Sequence, residues 1–203
     1  MIDIAKIIEM LENGGVVAAP TDTIYGLLAD ATNEEAVERV LAIKGRAKEK
    51  GMPIFIAFLE EAKKIAFIDE RQKNILKKVW PGKITCILKI REDSGITKNA
   101  LNADSTIALR IPFHPLILDL LQKIKKPLTA TSANKSSLPS CINALCVKEQ
   151  LKENLPDIII DGGNLKKNQS STIVDFTKDI PTIIRKGADF KKLQSIIHSN
   201  FGE

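Results

Sequence analysis

The chain is poor in the residues on which many functions depend. It has three cysteines and two histidines in 203 residues. Cys86, Cys141 and Cys146 are odd in number and share no CxxC spacing. That speaks against a disulfide framework and for the reducing cytoplasm. His114 and His198 lie far apart and near no cysteine pair, so a His/Cys zinc site is not expected. Aromatic residues are scarce (seven Phe, one Trp, one Tyr) and are not interleaved with basic ones, so there is no stacking stretch for single-stranded RNA. The longest stretch without charge, Ser136 to Val147, falls short of the roughly 18 residues of a membrane helix. The leading MIDIAKIIEMLENGG carries Asp3 and Glu9 and no basic lead, and does not read as a signal peptide. Also missing are a GxxxxGK[ST] phosphate loop, a GxGxxG after a strand and a GxSxG elbow. If the chain is an enzyme, the expectation is catalysis by positioning and charge stabilisation rather than by covalent attack.

What is present describes a folded chain. Hydrophobic residues make up 44% and charged residues 27%, and the length fits one domain, 1–203. The net charge of +5 suits an anionic partner such as nucleotide phosphate or RNA, or equally a lysine-rich surface. Ile4, Ile7, Ile8 and Leu11 recur at helical spacing ahead of Asn13-Gly14-Gly15. Thr32-Asn33-Glu34-Glu35 has a capping-box pattern before a helix carrying Val37, Val40, Leu41 and Ile43. Further helices fit Asp69–Val79, Pro115–Ile124, Asn143–Leu151 and Lys191–His198. Strands fit Val16–Ala19, Ile54–Phe58, Ile84–Lys89, Thr106–Arg110, Pro127–Thr131, Asp157–Asp161, Ser171–Phe176 and Pro181–Lys186. Some strands follow one another too closely for crossover helices, so the expectation is an α/β (α+β) fold: one mixed sheet flanked by helices.

Polar residues gather where the apolar strands end. Pro20-Thr21-Asp22-Thr23-Ile24-Tyr25-Gly26 follows the first strand and reads as a small-ligand site or a capped turn. Lys44, Arg46, Lys48 and Lys50 exceed what a helix C-terminus needs for its dipole. Lys44 and Arg46 can clamp a polyphosphate, or belong to a solvated turn. The alternation of Thr106 to Arg110 sends Thr106, Ala108 and Arg110 to one face, which makes Arg110 a candidate carboxylate binder. Thr129 to Ser136 is a hydroxyl-rich stretch suited to a nucleotide or to a helix cap. Ser171-Thr172 and Arg185 complete the set, which fits a ligand crevice.

In this order the stretches resemble the YrdC/TsaC family of L-threonylcarbamoyladenylate synthases. The resemblance runs from GGVVAAPTDTIYGLLADA through KGR, WPGKITCIL, TIALRIPFHP, TATSANKS and DIIIDGG to SSTIVDF and IIRKGA. Lys44 and Arg46 match its KxR pair, and Ser132 and Asn134 its SxN pair. The resemblance implies a twisted mixed sheet around a basic central cavity. It further implies cytoplasmic condensation of L-threonine, bicarbonate and ATP, with Mg²⁺, to threonylcarbamoyl-AMP and pyrophosphate for t⁶A37 modification of tRNA. Thr23, Arg110, Ser171 and the Ala130 backbone correspond to its threonine set. Arg46, Lys50, Thr106, Ser132, Ser140 and Arg185 correspond to its nucleotide contacts. On this reading Arg110 pairs with the threonine carboxylate, while Lys44, Arg46 and Arg185 neutralise the triphosphate and the departing pyrophosphate. No metal ligand is assigned.

The resemblance also implies partners: the tRNA-threonylcarbamoyl transferase complex, and tRNA or double-stranded RNA, with no membrane. The chain departs from the family pattern at Ser137 (glycine), at Ser140-Cys141-Ile142 (SPT), at Phe55 (a histidine in some members) and at Asn168 (glycine). It ends soon after IIRKGA, which leads one to expect the short, single-domain form. Two other functions compete: a double-stranded-RNA module without synthase activity, and the carbamoyl-transfer module of hydrogenase-maturation proteins, whose cysteine-pair zinc fingers are missing here.

Overall fold

A computed structural model describes residues 3–45, 51–166 and 169–201. Helix α1 (Ile4–Glu12) begins at Asp3, whose carboxylate accepts the Lys6 N–H, and turns Ile7 and Leu11 inward. Strands β1 (Val17–Ala19) and β2 (Gly26–Leu28) pair antiparallel. Helix α2 (Glu34–Lys44) is capped by Asn33, one residue later than the sequence pattern suggests, because the Thr32 hydroxyl bonds Asp30 instead. It stops at Gly45, whose φ of 59° is left-handed and favours glycine.

Strand β3 (Pro53–Phe55) leads to α3 (Leu59–Ile65) and to α4 (Glu70–Val79), which starts in an Asp69/Gln72 capping box. Then come β4 (Ile84–Lys89), β5 (Thr106–Arg110), α5 (Pro115–Ile124), β6 (Leu128–Thr129) and β7 (Thr131–Ser132). Helix α6 (Ala144–Gln150), β8 (Ile158–Ile159), β9 (Thr172–Asp175), β10 (Thr182–Arg185) and α7 (Phe190–Phe201) follow, and a short 3-10 helix (Lys98–Ala100) lies between β4 and β5.

The strands form two sheets, where one mixed sheet was expected. Their orders are β7-β2-β1-β8 and β10-β9-β4-β5-β3-β6, each mixing parallel and antiparallel pairs. The expected strand Pro127–Thr131 is divided between them. Leu128 and Thr129 belong to the larger sheet and Thr131 and Ser132 to the smaller, with the break at Ala130.

Strand periodicity explains the layers. Val17 and Ala19 pack with Leu28 against α1 and α5, while Val16 and Ala18 join Leu27 in the other core. Both faces of β1 are therefore buried, which is why VVAA contains no polar position. On β5, Ile107 and Leu109 enter the core, leaving the opposite face to Thr106, Ala108 and Arg110.

The expectation of no disulfide is corrected: Cys141 and Cys146 are bonded, with Cα atoms 5.5 Å apart. Asn143 caps α6, and the first turn of that helix brings Cys146 back over the incoming chain. Cys86 is free and fully buried, and burial pushes its thiol pKa up.

Candidate functional site

The site lies where the chain crosses between the sheets. A cavity of about 260 Å³ is floored by one face of the larger sheet, including Thr85 and Ile87 of β4, Ala108 and Arg110 of β5, and Phe55 of β3. The turn Thr21 to Gly26 forms one wall; Ala130 to Ser132, Ser171 and Arg185 form others. At the break, the Ala130 N–H donates to the Pro53 carbonyl (2.7 Å). Ala130 thereby lies against β3 just before the chain enters the smaller sheet.

Arg110 ends β5 nearly fully buried, and each nitrogen of its guanidinium has a partner. Nε donates to the Gly82 carbonyl (2.7 Å), Nη1 to the Thr23 hydroxyl (3.3 Å) and Nη2 to Asp22 Oδ1 (2.6 Å). The Phe55 ring lies below it, 5.5 Å from centroid to guanidinium carbon. Asp22 is equally buried, and its second oxygen accepts the Phe113 N–H (3.1 Å). Burial pulls the Arg110 pKa down, against the opposing pull of Asp22 and Asp189.

Arg185 is exposed as a residue on the sheet edge, but its guanidinium turns inward. Nε and Nη2 donate to the Ser171 carbonyl, and Nη2 also to the Ser171 hydroxyl. Burial and then the Arg110 charge lower its pKa. Two guanidiniums repelling each other over one cavity, with only Arg110 carrying a carboxylate among the described residues, make a place that gains by accepting an anion.

The structure thus gathers Thr23, Arg110, Ala130, Ser132, Ser171 and Arg185 in one cavity. Other sequence candidates stand elsewhere. The ammonium of Lys44 is buried and donates to the Ser132 carbonyl and to the Asn134 carbonyl and Oδ1. Lys44 is therefore a strut for the Ser132–Asn134 segment in this structure, not a cation facing the cavity. Asn134 extends the strut, donating to the Lys135 and Leu138 carbonyls. The Thr106 hydroxyl donates to Asp104 and accepts from Asn102, and it is Asn102 that lines the cavity. Half-buried Ser140 precedes the disulfide and does not line it. Arg46, Lys50 and Asn168 lie outside the described residues.

Sequence reasoning did not single out Thr85 and Asn102, which also line the cavity, as does Thr21 of the first polar turn. Thr85 carried a legible signal: it is a hydroxyl one place inside an otherwise apolar strand, ITCIL. Asp22 stood in view within the first polar turn but without an assigned partner. Among the described residues, no group of three or more His, Cys, Asp or Glu side chains is placed to hold a metal ion.

Comparison with known proteins adds to this geometry. The model of the Sua5–YciO–YrdC family, described as telomere recombination, matches residues 9–187. Threonylcarbamoyl-AMP synthase of Bacillus subtilis is 34% identical over 190 residues, covering 93% of this chain and 54% of that protein. The synthase of Photobacterium profundum is 32% identical over 192 residues, covering 92% of this chain and all of that one. The crystal structure of P. abyssi Sua5 complexed with L-threonine superposes with a TM-score of 0.89 at 33% identity, covering 96% of this chain and 57% of that chain. The chain spans about half the length of the Bacillus and Pyrococcus relatives.

Proposed function

The chain belongs to the Sua5–YciO–YrdC family, and from that premise we propose that it is a threonylcarbamoyl-AMP synthase, a nucleotidyltransferase acting in tRNA processing in the cytoplasm. The observation that carries the proposal is the convergence of Thr23, Arg110, Ala130, Ser132, Ser171 and Arg185 on one polar cavity. These residues come from five separate stretches of chain, and similarity to named synthases supports the same reading. In this reaction the threonine amine and bicarbonate form a carbamate with loss of water. A carbamate oxygen then attacks the α-phosphorus of ATP, a new P–O bond forms, and the bond to pyrophosphate breaks.

Arg110 is held rigid by Asp22, Gly82 and Thr23. It would offer its remaining N–H groups to the amino-acid carboxylate without reorganising. Arg185 would stabilise charge on the nucleotide. Mg²⁺ would arrive as the companion of ATP, part of the substrate. The product would pass to a tRNA-threonylcarbamoyl transferase complex. A double-stranded-RNA module without synthase activity is not favoured, since the relatives carry synthase names.

The test is pyrophosphate release from Mg-ATP and bicarbonate, with and without L-threonine and with L-serine as control, followed by mass detection of threonylcarbamoyl-AMP. Threonine-dependent release together with that mass is expected. Release independent of threonine, or none, refutes the proposal.

A further inference from the structure

Tyr25 stands in the cavity wall, and both of its backbone groups bond to one loop. Its carbonyl accepts the Ala133 N–H (2.8 Å), and its N–H donates to the Cys141 carbonyl (3.0 Å). The chain from Ala133 to Cys141 thus begins and ends on the same wall residue. Its far side rests on α6. Gln150 accepts the Lys135 N–H (3.3 Å) and donates to the Pro139 carbonyl (3.0 Å) and to the Cys146 sulfur (3.4 Å). The bond from Cys141 to Cys146 is the covalent tie between this loop and the helix.

Breaking that tie cannot leave the loop where it is. Two thiols need more room than two bonded sulfurs, and Cys141 is fully buried in the same core cluster as Ala144 and Val147. A close-packed interior has no spare volume for the separation. Helix α6 is held in that core by Val147 and, at its C-terminal end, by Leu151. The loop instead carries Leu138, 47% exposed, and Ser137 at a left-handed φ of 71°. The loop is therefore the side that gives way, and a shift of Cys141 reaches Tyr25 through the bond to its N–H.

We infer that the Cys141–Cys146 pair is a thiol-exchange site that sets the order of the 133–142 loop and, through Tyr25, of the cavity wall. Cys141 is closed to solvent and Cys146 is half-buried, so an incoming thiolate meets Cys146. The reductant is a dithiol. Its thiolate attacks the Cys146 sulfur, the disulfide breaks, and the electron pair leaves on Cys141, which takes a proton in its apolar surroundings. The second thiol of the reductant, as thiolate, then attacks its own partner in the mixed disulfide and expels Cys146, which is protonated in turn. Two electrons and two protons pass to the protein, and the reductant leaves as a disulfide. In a reducing compartment such a bond is usually transient and redox-sensing, which agrees with the cytoplasmic reading above.

The first test uses the folded wild type and dithiothreitol. Alkylation after unfolding should label Cys86 alone in untreated protein, and all three cysteines after treatment of the folded protein. Hydrogen-exchange mass spectrometry should then show amides across 134–142 and around Tyr25 exchanging about tenfold faster once reduced, with β4 and β5 unchanged. Cys146→Ser should exchange like the reduced wild type and ignore dithiothreitol. Three labelled cysteines without reductant, a bond that dithiothreitol cannot reach in the folded protein, or exchange that is unaltered or faster everywhere overturns the inference.

A consequence for nucleotide binding rests on the synthase reading, since Ser132 precedes this loop and Ser140 lies within it. Reduction should weaken Mg-ATP binding about three- to tenfold by calorimetry, and oxidised glutathione should restore it. Unaltered ATP affinity beside a loosened loop overturns the link to the cavity wall. Failure of ATP to bind in either state refutes the synthase reading instead, and the exchange data alone then judge the thiol site.

Discussion

Replacing Asp22 by asparagine tests the electrostatic frame of the site. The carboxylate and the Arg110 guanidinium meet at 2.6 Å, with side chains only 5% and 4% exposed. Removing one member of such a pair strands the other charge in a water-poor setting, at about 3–5 kcal/mol. An asparagine has one acceptor oxygen, so it serves Arg110 or the Phe113 N–H but turns an NH2 donor toward the other, and a loss of at least the lower end, about 3 kcal/mol, is expected. With a urea m-value of about 2 kcal/mol/M, the unfolding midpoint should fall by about 1.5 M. Arg110→Met should cost a similar amount or more, because Asp22 then stays charged with one backbone donor. The double variant should be less destabilised than the sum of the singles, by at least about 2 kcal/mol, since neither charge remains. Circular dichroism through a urea series on all four proteins completes the cycle. A loss below about 1 kcal/mol in Asp22→Asn, or additive singles, would refute the claim that this buried pair holds Arg110 in place.

Arg185→Ala should weaken ATP binding about ten- to a hundredfold through loss of charged hydrogen bonds, with a smaller effect on threonine, by calorimetry. Lys44→Met should leave the Ser132 and Asn134 carbonyls short of their donor and speed amide exchange across 132–138 well before global unfolding, as hydrogen-exchange mass spectrometry would show. Ser137 sits at a φ of 71°, where the family pattern has glycine. Ser137→Gly should therefore stabilise the protein by about 1 kcal/mol in the same urea series. Burial lowers the His114 pKa, against the opposing pull of Asp22, and its Nδ1 has no partner among the described residues. The unfolded chain binds this proton more readily than the folded one, so the contribution is intact above the ordinary histidine value of about 6.5 and is lost as pH falls below it toward the lowered folded value. Thermal unfolding at pH 7.5 and 5.5 should show a smaller acid loss in His114→Gln than in the wild type.

Strand and helix identities were legible where periodicity was strong. Ile84–Lys89, Thr106–Arg110 and Pro115–Ile124 match the observed elements end for end. Short elements without a pattern were missed: β2 follows the polar turn directly, and α3 is only seven residues long. Six of the expected site positions converge on the cavity because strand ends of a mixed sheet open to one side. Lys44 shows the limit of that reasoning. A lysine ending a helix in a basic run looks solvated, yet the loop packed over it supplies carbonyl acceptors that draw it inward. The disulfide escaped for a similar reason: five residues is an unremarkable spacing until a helix start folds the chain back on itself.

Composition and alternation alone determined the mixed fold class, the two-sided burial of VVAA and the side of β5 that carries Arg110. Each depends on the side-chain period of a single segment, which is local. Tertiary structure decided who meets whom. Asp22 and Arg110 are 88 residues apart, as are Lys44 and Ser132, while Thr85 and Ser171 are 86 apart. A period says which face a side chain takes, but it carries no address for the residue opposite. That address is set when two sheets close on one cavity and every buried polar group must find a partner there.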